Sequence, residues 1–287
     1  MPMALKGIDF HTHPVLVREM IARHPDLGLA ARETFHIGNN FQPLETLHLE
    51  LDVAGLESAV ILPIDATSAL GRTVYNNEQI AELCRMSSRL IGFASVDPQQ
   101  PGAVQKLAGA ITELGLRGLK LAPAMQRFWP DDSSLFPLYA QARDLGIPIL
   151  FHAGMNWEPG SRLEYGQPLR FEKVAVEFPE LKIVLAHLAW PWVTEAVALA
   201  LKYPNVHLDT SALYFDNPTD FLRYAMTHVV PLSVFERSLR HQIVFGSNYP
   251  RVEIKNMARA VRSLGFSEEC LELVMHGNAA RLLGAGK

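Results

Sequence analysis

The chain has 287 residues and a formal charge of −4, from 26 basic and 30 acidic side chains, which suits one large domain or two small ones. Its ordinary share of apolar residues excludes a disordered chain, and without a basic run neither nucleic acid nor an anionic membrane is expected as a partner. No window approaches the ~20 apolar residues that span a bilayer.

Elements follow from the hydrophobic pattern in chain order. The opening "MPMALKGIDFHTHP" has too short an apolar run for a signal peptide, and its "GIDFH" reads as a first strand. "LETLHLELDVAGL" carries leucines at three- and four-residue intervals and reads as a helix before the second strand, "SAVILP". "NNEQIAELCRMSSRL" opens on Asn76 or Asn77 as an N-cap and precedes a third strand, "LIGFASV". "GAVQKLAGAITELGL" ends at Gly115 and leads to a fourth strand, "RGLKLAP". "SLFPLYAQARDLGI" opens at Ser133 or Ser134, ends at Gly146 and precedes "IPILFHAG". "LRFEKVAVEFPEL" and "PWVTEAVALALKYP" are helices before "KIVLAHL" and "NVHLDTSA". The longer "NPTDFLRYAMTHVVPLSVFERSL" predicts two helices before the eighth strand, "QIVFGSNYP", and "EECLELVMHGNAARLLG" predicts two short closing helices. Near-continuous apolar strands suit a parallel sheet buried on both faces. Eight strand–helix units predict an α/β chain folded as one (β/α)8 TIM barrel over residues 1–287. A doubly wound open sheet is the alternative, but "DFHTHP" stands where it would carry a glycine-rich phosphate turn. Cys84 and Cys270 lie apart in helix-like stretches, with no spacing for a disulfide framework or a zinc knot, so a cytoplasmic location is expected.

Histidines gather at the strand ends. Strand alternation places Asp9, His11 and His13 on one face, and two histidines one residue apart can reach a single ion. By the same alternation His152 shares a face with Pro148 and Leu150, and His187 with Ile183 and Leu185. Taken singly, each is as well read as a hydrogen-bonded core histidine. A barrel, however, brings all its strand C-termini to one mouth, so four histidines on three strands converge there. Imidazole suits zinc, manganese, iron or nickel, and Asp9 is a candidate acceptor behind His11.

"GIDFHTHP", "GLKLAPAMQRFWPDD", "PLYAQARDLGIPILFHAG", "FPELKIVLAHLAWPW", "YPNVHLDTS", "VFGSNYP" and "GNAARLLG" together resemble the amidohydrolase-related metal hydrolases. More narrowly they resemble the branch that includes metal-dependent decarboxylases of dienoate and aromatic acids. The resemblance implies a (β/α)8 barrel, metal ligation by His11, His13 and His152, and a ligand or proton-handling role for His187. The family's eighth-strand "GSDYP" aspartate, a metal ligand and in hydrolases a base, falls on Asn248. An amide offers a carbonyl oxygen but neither charge nor basicity. The metal then stays with another base in service, or binds weakly or not at all, or activity is lost, or the asparagine is an introduced change. Asp209, Asp65 and Glu158 are substitute bases, and His187, titrating near ~6.5, is the better one. Where related sequences read "KLHP" this one reads "KLAP", with Ala122. Lys120 shares that face; a carboxylated lysine bridging two metals would also need the eighth-strand aspartate, so an interior ion pair or a contact to a substrate carboxylate is expected instead.

The predicted site is therefore His187, Asn248 and Asp209 as catalytic residues and His11, His13, His152, His187 and Asn248 around the metal. The cofactor is one divalent ion, zinc first and manganese second, with a metal-free site left open. Aromatic and guanidinium side chains in the strand-to-helix loops fit a small planar acid, with Lys120, Arg127, Trp157 and Arg251 as substrate contacts. The expected function is metal-dependent hydrolysis of a C–O or C–N bond in a small carboxylated or cyclic compound, such as a lactone. Nonoxidative decarboxylation of an aromatic or dienoic acid is the alternative, then a metal-poor relative that only binds ligand. Homo-oligomerisation is left open.

Overall fold

A computed structural model describes residues 7–37, 41–212 and 214–284. β1 (Gly7–Thr12) and β2 (Leu56–Ile61) pair in parallel, and β3 (Ile64–Ala66) and β4 (Arg72–Val74) form an antiparallel hairpin beyond β2. β5 (Leu90–Gly92) pairs with β2 and runs through Phe93 into β6 (Ala94–Ser95), which pairs with β7 (Leu119–Leu121). β8 (Ile149–Phe151), β9 (Ile183–Leu185), β10 (Val206–Asp209) and β11 (Ile243–Val244) complete the parallel series. The last strand closes on the first: Phe10 N donates to Phe245 O at 2.8 Å, and Asn248 N to His11 O at 2.8 Å. With β5 and β6 counted as one strand, this is the expected eight-stranded TIM barrel.

The barrel strands alternate between an outer apolar cluster and the barrel interior. Ile61, Leu119, Leu121, Ile149, Phe151, Ile183, Leu185, Leu208, Ile243 and Phe245 pack in the large cluster shared with the surrounding helices. Ile8, Phe10, Val60, Leu62, Phe93, Leu150, Val184, Ala186 and Val244 form a separate cluster inside the barrel. Period-two alternation on a closed sheet produces this division. Ala279, Ala280, Leu282 and Leu283, from the last helix and the residue after it, pack into the inner cluster and cap its base. Gly118 lies against the Phe93 ring, where a Cβ would come within 2.4 Å of it. Phe93 meets Phe10 edge-on, with centroids 5.5 Å apart.

The predicted helices form, including Leu44–Ala54, Asn77–Met86 and Val193–Lys202. Asn76 caps Asn77–Met86 reciprocally with Gln79. Asp132, rather than either serine, caps the turn Ser133–Leu135. The sequence reading passed over Arg18–Arg23, Asp26–Phe35 and the β3–β4 hairpin. All three follow barrel strands as insertions at the mouth. Among the described residues no helix is long and apolar enough to cross a membrane.

Candidate metal centre

His11, His13, His152 and His187 meet at the C-terminal mouth of the barrel, but two arrive by routes that plain alternation does not provide. Ile183 and Leu185 belong to the outer cluster, so alternation alone would turn His187 outward. Instead the chain leaves β9 with positive φ at His187 (60°), Leu188 (48°) and Ala189 (50°), which swings the imidazole into the barrel. In β1, Ile8 and Phe10 face inward, and a register shift between Asp9 and Thr12 turns His11 inward as well. Gly246 lets β11 pass close by: a Cβ there would lie 2.8 Å from His11 Cβ.

Every imidazole has one nitrogen committed to an acceptor. His13 Nδ1 donates to Leu62 O (2.8 Å), and His152 Nε2 to Met155 O (2.9 Å). His11 Nδ1 donates to Asp209 Oδ2 (2.7 Å). His187 Nδ1 lies 2.8 Å from Ser211 Oγ and 3.1 Å from Ser211 O, and the Ser211 hydroxyl in turn donates to Asp209. These partners fix the tautomers and leave the other nitrogens as bare lone pairs. The lone pairs then face each other: His11 Nε2 and His13 Nε2 at 3.2 Å, His187 Nε2 and His152 Nδ1 at 3.3 Å. With no proton left to share, such contacts are repulsive unless a cation lies between the rings. The donor set therefore fits a divalent ion held by imidazole.

Burial keeps these rings neutral. It is the largest influence holding His11, His13 and His187 well below the usual 6.5; for His11 and His13 the Lys120 charge adds to it, and for His187 the neighbouring histidines. His152 is lowered to about 4, chiefly by burial and then by the Lys120 charge.

His11, His187 and Asp209 place one potential ligand atom each within 4.8 Å of one another. Asp209, however, meets the Nδ1 edge of His11, away from His13, and also accepts from His187 N (2.9 Å) and Ser211 N (3.0 Å). We read it as the acceptor that orients two imidazoles. Asp9, expected behind His11, instead accepts the backbone N–H groups of His11 (3.1 Å) and Ser247 (2.9 Å), tying β1 to the turn after β11. Burial raises the Asp9 carboxyl to about 7.

One cavity opens over this cluster, lined by His13, His152, His187 and Asn248 and by Lys120, Trp157, Glu158 and Arg251. Thr34, Phe35 and His36 add a wall from the unanticipated helix Asp26–Phe35 and its cap. Asn248 has φ 66° and donates Nδ2 to Ala212 O (3.0 Å), so its amide is held beside the histidines. Arg251 donates to Phe35 O (3.1 Å). Trp157 is 50% exposed at the rim. Arg127 is exposed and does not line the cavity. Asp65, one candidate base, is ion-paired with Lys106 at 2.6 Å, and Glu158 with Arg72 at 3.1 Å. Ser211, Thr34 and Asn156 were missed in the sequence; serine, threonine and asparagine in loops carry no signal until the fold places them.

A family model described as Amidohydrolase matches residues 8–285. The 2-amino-3-carboxymuconate-6-semialdehyde decarboxylase of Dictyostelium discoideum is 29% identical over 136 residues, 42% of this chain and 38% of that protein. The match thus spans well under half of that curated relative. An uncharacterised TIM-barrel protein from Bordetella bronchiseptica superposes with a TM-score of 0.74 at 26% identity, over 99% of this chain and 100% of that one. The 5-carboxyvanillate decarboxylase of Novosphingobium aromaticivorans, in complex with manganese and 4-hydroxy-3-methoxy-5-nitrobenzoic acid, superposes with a TM-score of 0.66 at 14% identity over 99% of each chain.

Proposed function

The chain belongs to the amidohydrolase family, and from that premise we propose that it is a metal-dependent nonoxidative decarboxylase of a small unsaturated or aromatic acid. One observation carries the choice over hydrolysis. Among the described residues the one carboxylate lining the cavity is Glu158, already paired with Arg72, while Asn248 stands where the family's eighth-strand acid falls. Hydrolysis needs a base to take a proton from water. Loss of carbon dioxide needs only that an anion be held, its electrons drawn away and the carbon then protonated. The similarity to two decarboxylases supports the same order.

His11, His13, His152 and His187 would hold the ion through the nitrogens that face one another, with the Asn248 amide as a neutral neighbour. Zinc or manganese bound there would polarise the oxygens of the acid and draw electron density from the carbon that loses carbon dioxide. Asp209 and Ser211 keep the tautomers that make this possible. Phe35 and Trp157 supply flat walls for a planar acid, and Arg251 a cation at the mouth. Hydrolysis remains the second reading because Glu158 does face the cavity and, released from Arg72, could take a proton from water.

The test is metal content by elemental mass spectrometry together with carbon dioxide release from a panel of aromatic and dienoic acids. About one ion per chain and carbon dioxide from at least one acid are expected, both lost in His152→Ala. Activity on lactones or amides alone would transfer the assignment to hydrolysis. Metal and activity that survive His152→Ala would remove the proposed centre.

A further inference from the structure

Three of the four imidazoles at the mouth take their acceptor from the strands or their immediate ends. His13 Nδ1 meets Leu62 O, whose own N–H is bonded to Thr12 O (2.9 Å), and His11 and His187 are held by Asp209 and Ser211 at the end of β10. His152 is the exception. The acceptor of its Nε2 is Met155 O (2.9 Å), in the loop that follows β8. Met155 N donates to Trp190 O (2.8 Å), but that bond fixes the peptide before Met155, and the carbonyl belongs to the peptide after it. The carbonyl is held by the Tyr214 hydroxyl, which donates to the same oxygen. A carbonyl oxygen has two lone pairs, and His152 and Tyr214 use both.

Tyr214 is anchored for this task. Its ring packs against Trp190 (centroids 4.7 Å apart), His187 (6.0 Å) and Trp157 (6.2 Å). Neither Tyr214 nor Met155 lines the cavity, so the hydroxyl acts through His152 and not on a ligand.

The acceptor matters because His152 has an alternative. Its Nδ1 lies 3.3 Å from His187 Nε2. With the His152 proton on Nε2, two lone pairs face each other across that gap, an arrangement suited to a cation. With the proton on Nδ1 the same gap becomes an N–H···N hydrogen bond, favourable without metal, and neither nitrogen is left for an ion. In metal-free protein the gap favours the second tautomer, and the Met155 carbonyl favours the first.

We propose that Tyr214 is a positioning residue of the histidine centre: by fixing the Met155 carbonyl it holds His152 in the Nε2–H tautomer and keeps Nδ1 open toward His187. The segment after β10 then sets the tautomers of three histidines, through Asp209 for His11, Ser211 for His187 and Tyr214 for His152. The role rests on the metal-centre reading above.

The test is Tyr214→Phe, which removes the hydroxyl, keeps the ring between Trp190 and Trp157, and is therefore expected to fold. Long-range proton–nitrogen correlation spectra of histidine-labelled, metal-free protein report the tautomer of each imidazole, with His152 assigned by its absence in His152→Gln. His152 is expected as the Nε2–H form in the wild type and with a clear Nδ1–H population in Tyr214→Phe, while His13 is unchanged. Zinc affinity, read by chelator competition, should fall about tenfold, the lower end of what losing an outer hydrogen-bond partner costs a metal site. Tyr139→Phe is the control. It takes a buried hydroxyl from Pro130 O (3.1 Å) on the helix Phe136–Asp144 and should lower stability without moving tautomer or affinity. An unaltered His152 tautomer in Tyr214→Phe, or an affinity loss matched in Tyr139→Phe, overturns the proposal. A tautomer that follows Tyr214 in a protein that binds no zinc would sink the metal centre alone; zinc bound with unchanged affinity and a tautomer indifferent to Tyr214 would sink the positioning role alone.

Discussion

The two ends of the barrel interior are built from the same strands and obey different rules. At the base, Ile8, Phe10, Val60, Leu150, Val184 and Val244 follow strict alternation and pack against the closing helix. One or two residues further along, at the mouth, the alternation is broken. A register shift turns His11 inward, three consecutive positive φ angles turn His187 inward, and Asn248 sits at φ 66°. Apart from the buried His207 at the start of β10, the base is apolar and explained by packing. The mouth gathers neutral imidazoles, a buried lysine and buried carboxylates that packing alone would never select. Stability is concentrated where the pattern is regular, and chemistry where it is locally violated.

The strongest way to break this contrast is to remove the acceptor on which the mouth is organised. Asp209→Ala leaves the donors of His11, His187 and Ser211 without their carboxylate, at about 1–3 kcal/mol for each orphaned group. Metal should be lost and the melting temperature should fall sharply. A variant that keeps full metal occupancy would mean that Asp209 does not orient the ligands.

Next in size is the base. Phe93→Ala removes a fully buried ring between Phe10 and Gly118, at about 3–5 kcal/mol. Denaturant titration should register the loss while metal per chain stays unchanged. If metal content follows stability here too, the two ends are not separable.

Acid should act on both ends. His207, buried at the start of β10, is lowered to about 4 from 6.5, mainly by burial. The unfolded chain takes up a proton near 6.5 while the folded chain resists until about 4. That contribution, about 3 kcal/mol, is intact above pH 6.5 and disappears as pH falls toward 4. The mouth histidines are shifted in the same direction, so metal-free protein should lose stability steeply over this window. Added zinc should raise the melting temperature markedly at pH 7 and little at pH 5, where protons compete for the imidazoles. His207→Gln should flatten the metal-free pH dependence without changing the effect of zinc.

Much of this was legible in the chain. Eight short apolar runs with helical sequence between them named the barrel, and histidines at the ends of three of them named the mouth. What escaped was non-local. The bulge in β1 and the kink after β9 leave no pattern in residues 7–12 or 183–189. Alternation even placed His187 with Ile183 and Leu185, which face outward. Asp9 looked like the acceptor for His11 because it is two residues away, yet the acceptor is Asp209, from the seventh barrel strand. Arg127 looked like a substrate contact because it follows the fourth barrel strand, but a left-handed φ of 55° accompanies an exposed position off the cavity. Mouth insertions such as Asp26–Phe35 are fixed by what they cover, and their own sequence is only weakly periodic.

The smallest expected effect is also the most informative about the mouth. Asn248 donates its amide to Ala212 O at 3.0 Å, an interaction that a carboxylate cannot make. Asn248→Asp therefore replaces a hydrogen bond by an oxygen facing a carbonyl oxygen, and metal-free protein should melt slightly lower. With an ion present the sign reverses: the new negative charge lies on a residue that lines the cavity beside three of the histidines, and metal affinity should rise by about tenfold, or 1.4 kcal/mol. Opposite shifts in apo stability and metal affinity, read by thermal melting and chelator competition, are what a residue beside the ion must give. A change that lowers both, or leaves affinity unaltered, would place Asn248 outside the reach of the metal and make it a turn residue whose amide serves only Ala212.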